Sequence, residues 1–228
     1  MRVRVGFVGR GAAVAVALAT LLGGCAGSAD GDGKSAAGAS PSGRSEADAA
    51  AAKGGSVGAA GSDCALPVRF DVAEDWKAKA IDAEQSKAST GSGDDLSAAV
   101  ADALLHQGPV TAACEIDAKP AGHIGFLRVW TGKAGAAAPG TVLRQFVAAE
   151  DGAGKATYRS VRTGGGLKAV EVGYLYTSKL LGETKKETAL AVGTPDGPVV
   201  LHLGGMDTEE HEAMRPAYEL AKQTLRLS

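Results

Sequence analysis

The sequence predicts an α+β domain with a mostly antiparallel central sheet flanked by helices. Three observations carry this. Strand-like segments follow one another along the chain, where a parallel sheet would need strict alternation with helices. Helical segments are few, one starting near Pro139 and the last with a clear start signal at Asp207. Between the last two strand segments stands Pro195-Asp196-Gly197-Pro198, turn chemistry in which the glycine supplies φ > 0.

Taken in order, the chain opens with Arg2, Arg4 and Arg10, then an apolar run from about Gly11 to Leu22. That run is shorter than the ~20 apolar residues a membrane span needs, so a removable signal peptide over residues 1–24 is the reading. Leu22-Gly23-Gly24-Cys25 resembles a bacterial lipobox. The resemblance implies that Cys25 receives a diacylglyceryl group, which places the protein at the cell membrane, lipid-anchored on the extracytoplasmic face. The alternative is an ordinary secretory signal followed by a chance cysteine.

From Ala26 to Ser62 the chain is nearly all Ala, Gly, Ser, Asp and Lys, with Val57 its one large apolar residue. Residues 25–62 are therefore expected to be the lipidated cysteine and a disordered tether, spanning on the order of 30 Å. Residues 63–228 remain, the size of one domain with a real core. This segment has 18 Lys+Arg against 22 Asp+Glu, a net charge of −4. Nothing in that balance offers a footprint for nucleic acid. Cys64 and Cys114 are expected to form a disulfide in an oxidising compartment, the alternative being two buried thiols.

Leu66, Val68, Phe70 and Val72 alternate with polar residues and predict a strand, and Ala78–Ile81 a short second one. Ser92 or Asp94 caps an expected helix from about Asp95 to His106, stopped by Gly108-Pro109. Val110–Ile116 and Ile124–Trp130 read as strands. A helix from near Pro139 turns Val142, Leu143 and Phe146 to the core and ends by Gly152. Strands follow over Thr157–Arg162, Ala169–Thr177, Glu187–Thr194 and Val199–Leu203. The closing helix, about Thr208 to Leu225, has Asp207 as N-cap and an acidic first turn that suits the helix dipole. Its stripe is Met214, Tyr218, Ala221 and Leu225, and Pro216 is expected to kink it or restart it.

The entry Asp71-Val72-Ala73-Glu74-Asp75-Trp76 resembles that of PsbP-like domains. The close, Gly197-Pro198-Val199-Val200-Leu201-His202-Leu203, then a helix, then Thr224-Leu225-Arg226-Leu227, is similar to their C-terminal half. Together these are similar to actinobacterial surface lipoproteins of the LpqN-like kind. The resemblance implies a PsbP-like α/β/α sandwich and a ligand- or partner-binding role, with no catalytic motif to carry over.

The search for reaction chemistry returns little. Gly54-Gly55-Ser56-Val57-Gly58 matches a serine-hydrolase string, but it falls in the expected tether, without the strand-turn-helix that would strain the serine. Gly33-Lys34-Ser35 lacks the rest of a phosphate loop. His106, His123, His202 and His211 show no metal-ligand spacing. His211 reads as a solvated residue of an acidic helical turn, His202 as a satisfied or exposed strand residue, and His123 as loop chemistry near Asp117 and Lys119. Trp76, Trp130, Tyr174 and Tyr176 read as core. Carboxylate-only chemistry needs no fixed spacing, which leaves Asp75, Asp94, Glu115, Asp117 and Glu171 as the acids to follow.

The expectation is a membrane-anchored, non-catalytic module, with no catalytic, cofactor or metal residues, that binds an envelope protein or a small ligand. Two alternatives stand: a carrier of a hydrophobic molecule or lipid between membrane and wall, and a wall-active hydrolase with an unrecognised carboxylate site.

Overall fold

The computed structural model describes residues 49–82, 104–135 and 137–228. In chain order they form β1 (Lys53–Val57), β2 (Val68–Ala73), β3 (Lys77–Ala80), β4 (His106–Gln107), β5 (Val110–Asp117) and β6 (Gly125–Gly132). Then come α1 (Pro139–Ala148), β7 (Ala153–Arg162), β8 (Lys168–Thr177), β9 (Thr184–Thr194), β10 (Gly197–Gly205), α2 (Thr208–Thr224) and β11 (Arg226–Leu227). The large sheet runs β3-β5-β6-β10-β9-β8-β7, with β4 on β5, and its pairings are antiparallel. A small sheet, β1-β2-β11, stands apart from it.

The large sheet buries both faces, each under one helix. On the first, Val142, Leu143, Phe146 and Val147 of α1 pack on Ala112, Trp130, Val172, Ala191 and Val200. On the second, Met214, Tyr218 and Ala221 of α2 and its C-cap Leu225 pack on Ile116, Val129, Leu190 and Leu201, with Phe70 and Val72 of the small sheet closing the layer. Trp76, Trp130 and Tyr174 are buried, as a core role requires, whereas Tyr176 is half-buried and belongs to neither core. The expected α2 stripe is the buried one, and Asp207 caps its start, accepting a hydrogen bond from the Glu210 backbone N–H at 2.8 Å. The helix runs unbroken through Pro216, because buried residues on both sides of the proline hold it to the sheet.

Two expectations need correction. Ordered structure starts before Asp63: residues 53–57 form β1, paired antiparallel with β2, and Val57 is buried in the main core. Composition hid this strand, since Val57 is its one large apolar side chain. Glycine is needed there for close approach: a Cβ on Gly54 would meet Glu74 Cα at 2.5 Å, and one on Gly58 (φ 102°) would meet the Val68 carbonyl at 1.9 Å. The remainder of residues 1–62, including Cys25, lies mostly outside the described residues. The helix expected over residues 95–106 also lies largely outside them; Leu104 and Leu105 are helical, but His106 has already entered β4.

Cys64 and Cys114 are joined by a disulfide, with Cα atoms 5.9 Å apart. A bulge in β5 makes this possible. Ala112 pairs with Trp130 but Cys114 pairs with Val129, so Ala113 is an extra residue. The bulge flips the strand's parity. Val110 and Ala112 face α1, whereas Cys114 and Ile116 face the layer that holds Cys64.

Candidate functional site

Strands β8 and β9 carry polar side chains into both cores. On the α2 side, alternate residues of β8 are Ala169, Glu171 and Gly173. Glu171 is 2% exposed and fully engaged. Its carboxylate accepts from Tyr218 Oη at 2.8 Å, Lys222 Nζ at 3.1 Å and Arg159 Nε at 2.6 Å. Burial alone would raise its pKa, but Lys222, the Tyr218 hydrogen bond and Arg159 outweigh burial and hold it below the ordinary range.

On the α1 side, Glu187 of β9 takes Lys185 Nζ at 2.7 Å and His202 Nε2 at 2.9 Å. Burial again works to raise this carboxyl, and His202 and Lys185 lower it. The Tyr174 hydroxyl donates to Glu150 at 2.6 Å and lies 3.2 Å from His202 Nε2. Burial first, then Glu150, raises the tyrosine pKa, so it stays a neutral donor. This chain of four groups lies beneath Phe146, with Tyr174, Glu187 and His202 each at most 5% exposed.

His211 departs from expectation. It lies on the buried face of α2, 1% exposed, with Nε2 3.0 Å from Thr188 Oγ1 and Nδ1 without a hydrogen-bond partner among the described residues. Burial lowers its pKa to about 4, against smaller upward contributions from Glu187 and Glu212. His202 is satisfied, as expected, but buried, because its strand has a core on each face. His123 Nδ1 lies 3.2 Å from Glu210 and His106 Nδ1 3.0 Å from Thr111 Oγ1.

The candidate acids do not share a site. Glu115 pairs with Arg128, and Asp117 accepts from the Lys119 backbone N–H at 2.9 Å. Asp75 sits at a left-handed turn position with φ 64°, and Asp94 lies outside the described residues. Ser56 is on β1, which leads into a turn and not a helix. The recess beside it is lined by Asp63, Asp75 and Lys77, without an imidazole. Among the described residues, no group of three or more His, Cys, Asp or Glu is placed to hold a metal ion.

What the fold does bring together is a cleft where α2 crosses β7, β8 and β9. It measures about 240 Å³, and Lys155, Gly173, Lys186, His211, Glu212 and Arg215 line it. It opens at Gly173, which is exposed and whose missing Cβ would meet no atom within 4 Å. A larger surface groove, about 560 Å³, runs beside the first turn of α1, against Val161, Ala169 and Val170.

Fold and site together define an α+β protein with a large antiparallel sheet between two helices and a small charged cleft on one face. In the cleft wall the Thr188 hydroxyl lies 3.0 Å from the His211 imidazole. By sequence, the chain belongs to a family of lipoproteins described as uncharacterised lipoprotein, whose model matches residues 34–225. A comparison with curated proteins gives no match.

Proposed function

We propose that this protein is a non-catalytic binding module of the cell envelope, built on a PsbP-like fold and anchored on the extracytoplasmic face of the membrane through a diacylglyceryl group on Cys25. Family membership supports the lipid anchor, since the match spans most of the chain. The cleft over Gly173 carries the binding reading. It offers charged groups at an accessible recess, while the buried carboxylates stay committed to their ion pairs.

Hydrolysis by a carboxylate pair needs one acid kept protonated by a raised pKa. Glu171 and Glu187 are instead both held low. A carrier of hydrophobic molecules needs enclosed apolar volume of several hundred Å³. The groove beside α1 is open to solvent, and Val142, Leu143 and Phe146 fill the space beneath the helix.

Native mass spectrometry of the full chain purified from its host membrane tests the reading. A stoichiometric small molecule or protein partner is expected. Release of sugars or acyl chains from host envelope, abolished by Glu171→Gln, would overturn it.

A further inference from the structure

Two adjacent leucines stand in water at the tip of a hairpin. The turn between β8 and β9, residues 178–183, carries Leu180, 92% exposed, and Leu181, 68% exposed. Its own hydrogen bonds order this turn. The Ser178 N–H donates to the Glu183 carbonyl at 2.9 Å, the Gly182 N–H to the Ser178 carbonyl at 2.8 Å, and the Leu181 N–H to Ser178 Oγ at 3.2 Å. Gly182 supplies the left-handed position, with φ 70°. None of these bonds calls for an apolar side chain, and turns favour Gly, Asn, Asp and Ser. The two leucines belong to neither core.

Single exposed apolar residues are ordinary on a protein surface, so their position decides. Six large apolar residues are exposed among the described ones, and four of them lie at one end of the large sheet. Strand pairing fixes that end. Thr177 pairs with Thr184 beneath the leucine turn, Leu203 near the end of β10 with Thr188 near the start of β9, and Gly205 with Gly125 at the start of β6. Ile124 and Met206, both more than half exposed, extend this last pair, the Met206 N–H donating to the Ile124 carbonyl at 3.0 Å. The chain also enters the domain at this end. β3 begins here, with Lys77 opposite Asp117, which pairs in turn with Phe126. Just before β3, β2 ends at Ala73, and Ala73 is opposite Lys53, the first residue of β1.

We propose that this end of the sheet rests on the lipid bilayer, with Leu180 and Leu181 entering the boundary between headgroups and acyl chains. The chain belongs to a lipoprotein family, and a chain held at Cys25 reaches the domain through Lys53, at the leucine end. Tethering raises the local concentration of the surface, so a weak contact suffices to orient the domain. Apolar burial carries that contact. Lys179, Lys185 and Lys186, next to the tip, are paired with Asp151, Glu187 and Glu212, and Asp207, Glu209 and Glu210 follow Met206 at the start of α2. Charge therefore does not draw this end to anionic headgroups, and a zwitterionic surface fits it. Gly173 stands about 13 Å along β8 from Thr177, so the cleft opens close above the lipid. The proposal rests on the reading of Cys25 as the membrane anchor, and it adds a second contact that sets the domain's orientation.

The test uses the acylated chain purified from host membrane and reconstituted into phosphatidylcholine vesicles. With Cys25 acylated and Cys64 bridged to Cys114, Leu180→Cys gives one free thiol for an environment-sensitive fluorophore. Asp196→Cys, in the exposed turn at the opposite end of the sheet, gives the control. The label at 180 should shift to the blue and be quenched at least threefold more than the label at 196 by phosphatidylcholine bearing a nitroxide high on its acyl chain. A label at Met206→Cys should be quenched too, and severalfold less once Leu180 and Leu181 are both replaced by serine. That loss would show that the leucines, and not the dye, hold the surface. If the chain floats with the vesicles and the labels at 180 and 196 are quenched alike, the anchor stands and the proposal falls. A blue shift at 180 that grows with the protein-to-lipid ratio, without added quenching, would assign the leucines to a second copy and overturn the bilayer contact. A chain that does not float would overturn the anchor and the proposal together.

Discussion

Lowering the pH from 7 to 5 should destabilise the protein through one side chain, His211. Its imidazole has an ordinary pKa of 6.5 and, once buried between α2 and the sheet, a pKa of about 4. The unfolded chain therefore takes up a proton that the native protein refuses throughout that interval. Stability from this residue is fully present above pH 6.5 and is lost as pH falls towards 4. At about 1.36 kcal/mol per pKa unit, the whole effect is roughly 3 kcal/mol, of which about 2 kcal/mol disappears between pH 7 and pH 5. Glu171, Glu187 and Glu212 act in the same direction but at lower pH, because their native pKa values lie below the ordinary 4.5. Urea unfolding at half-unit pH steps, in phosphate-free buffer, would measure the slope in the wild type and in His211→Gln. Glutamine offsets the absolute stability but carries no titration, so the slope between pH 7 and 5 should nearly vanish. A flat wild-type profile, or the same slope in both proteins, would refute the assignment of His211 as the buried neutral base.

Other expectations are simpler. The disulfide closes 50 residues of chain, so replacing both cysteines by alanine should cost roughly 4 kcal/mol in the chain-entropy model. Thiol labelling of the denatured, unreduced chain should find neither Cys64 nor Cys114 free. A chain beginning at Asp63 loses β1 and the burial of Val57, and should unfold about 1.5–3 kcal/mol more easily than one beginning at Ala49. Equal unfolding midpoints would remove β1 from the fold's energetics. Cys25→Ser should move the protein from the detergent phase to the aqueous phase, or leave it unprocessed, and unchanged partitioning would count against the lipid anchor.

Much of the fold was legible because period and punctuation agreed. The α2 stripe and the Asp207 cap were visible in spacing alone, as were β5, β6 and the β9–β10 hairpin. The site was less so. His211 stands three residues before Met214 and seven before Tyr218, which puts it on the buried stripe. Its acidic neighbours Glu209, Glu210 and Glu212 drew the reading towards solvent instead. The β5 bulge left no trace, because Val110, Ala112, Cys114 and Ile116 keep alternating across it while the strand changes faces. Gly173 is one glycine among 33, and nothing local marks it as the opening of a cleft. Strand β1 stayed hidden because its stability comes from its partner β2 and from one valine, not from its own pattern.

The position of the disulfide decides how the domain would bear a pull on its N-terminal segment. Such a load first meets the hydrogen bond from the Ala51 N–H to the Pro216 carbonyl of α2, then runs along β1 and shears its hydrogen bonds to β2. If β1 peels away, the chain comes taut at Cys64, eleven residues further on. From there the covalent bridge to Cys114 hands the force to β5, in the large sheet, and β2 is bypassed. The first strand can thus act as a mechanical fuse, extending under tension while the sheet, α2 and the cleft between them keep their shape. Reduction of one bond would let the tear run on into β2.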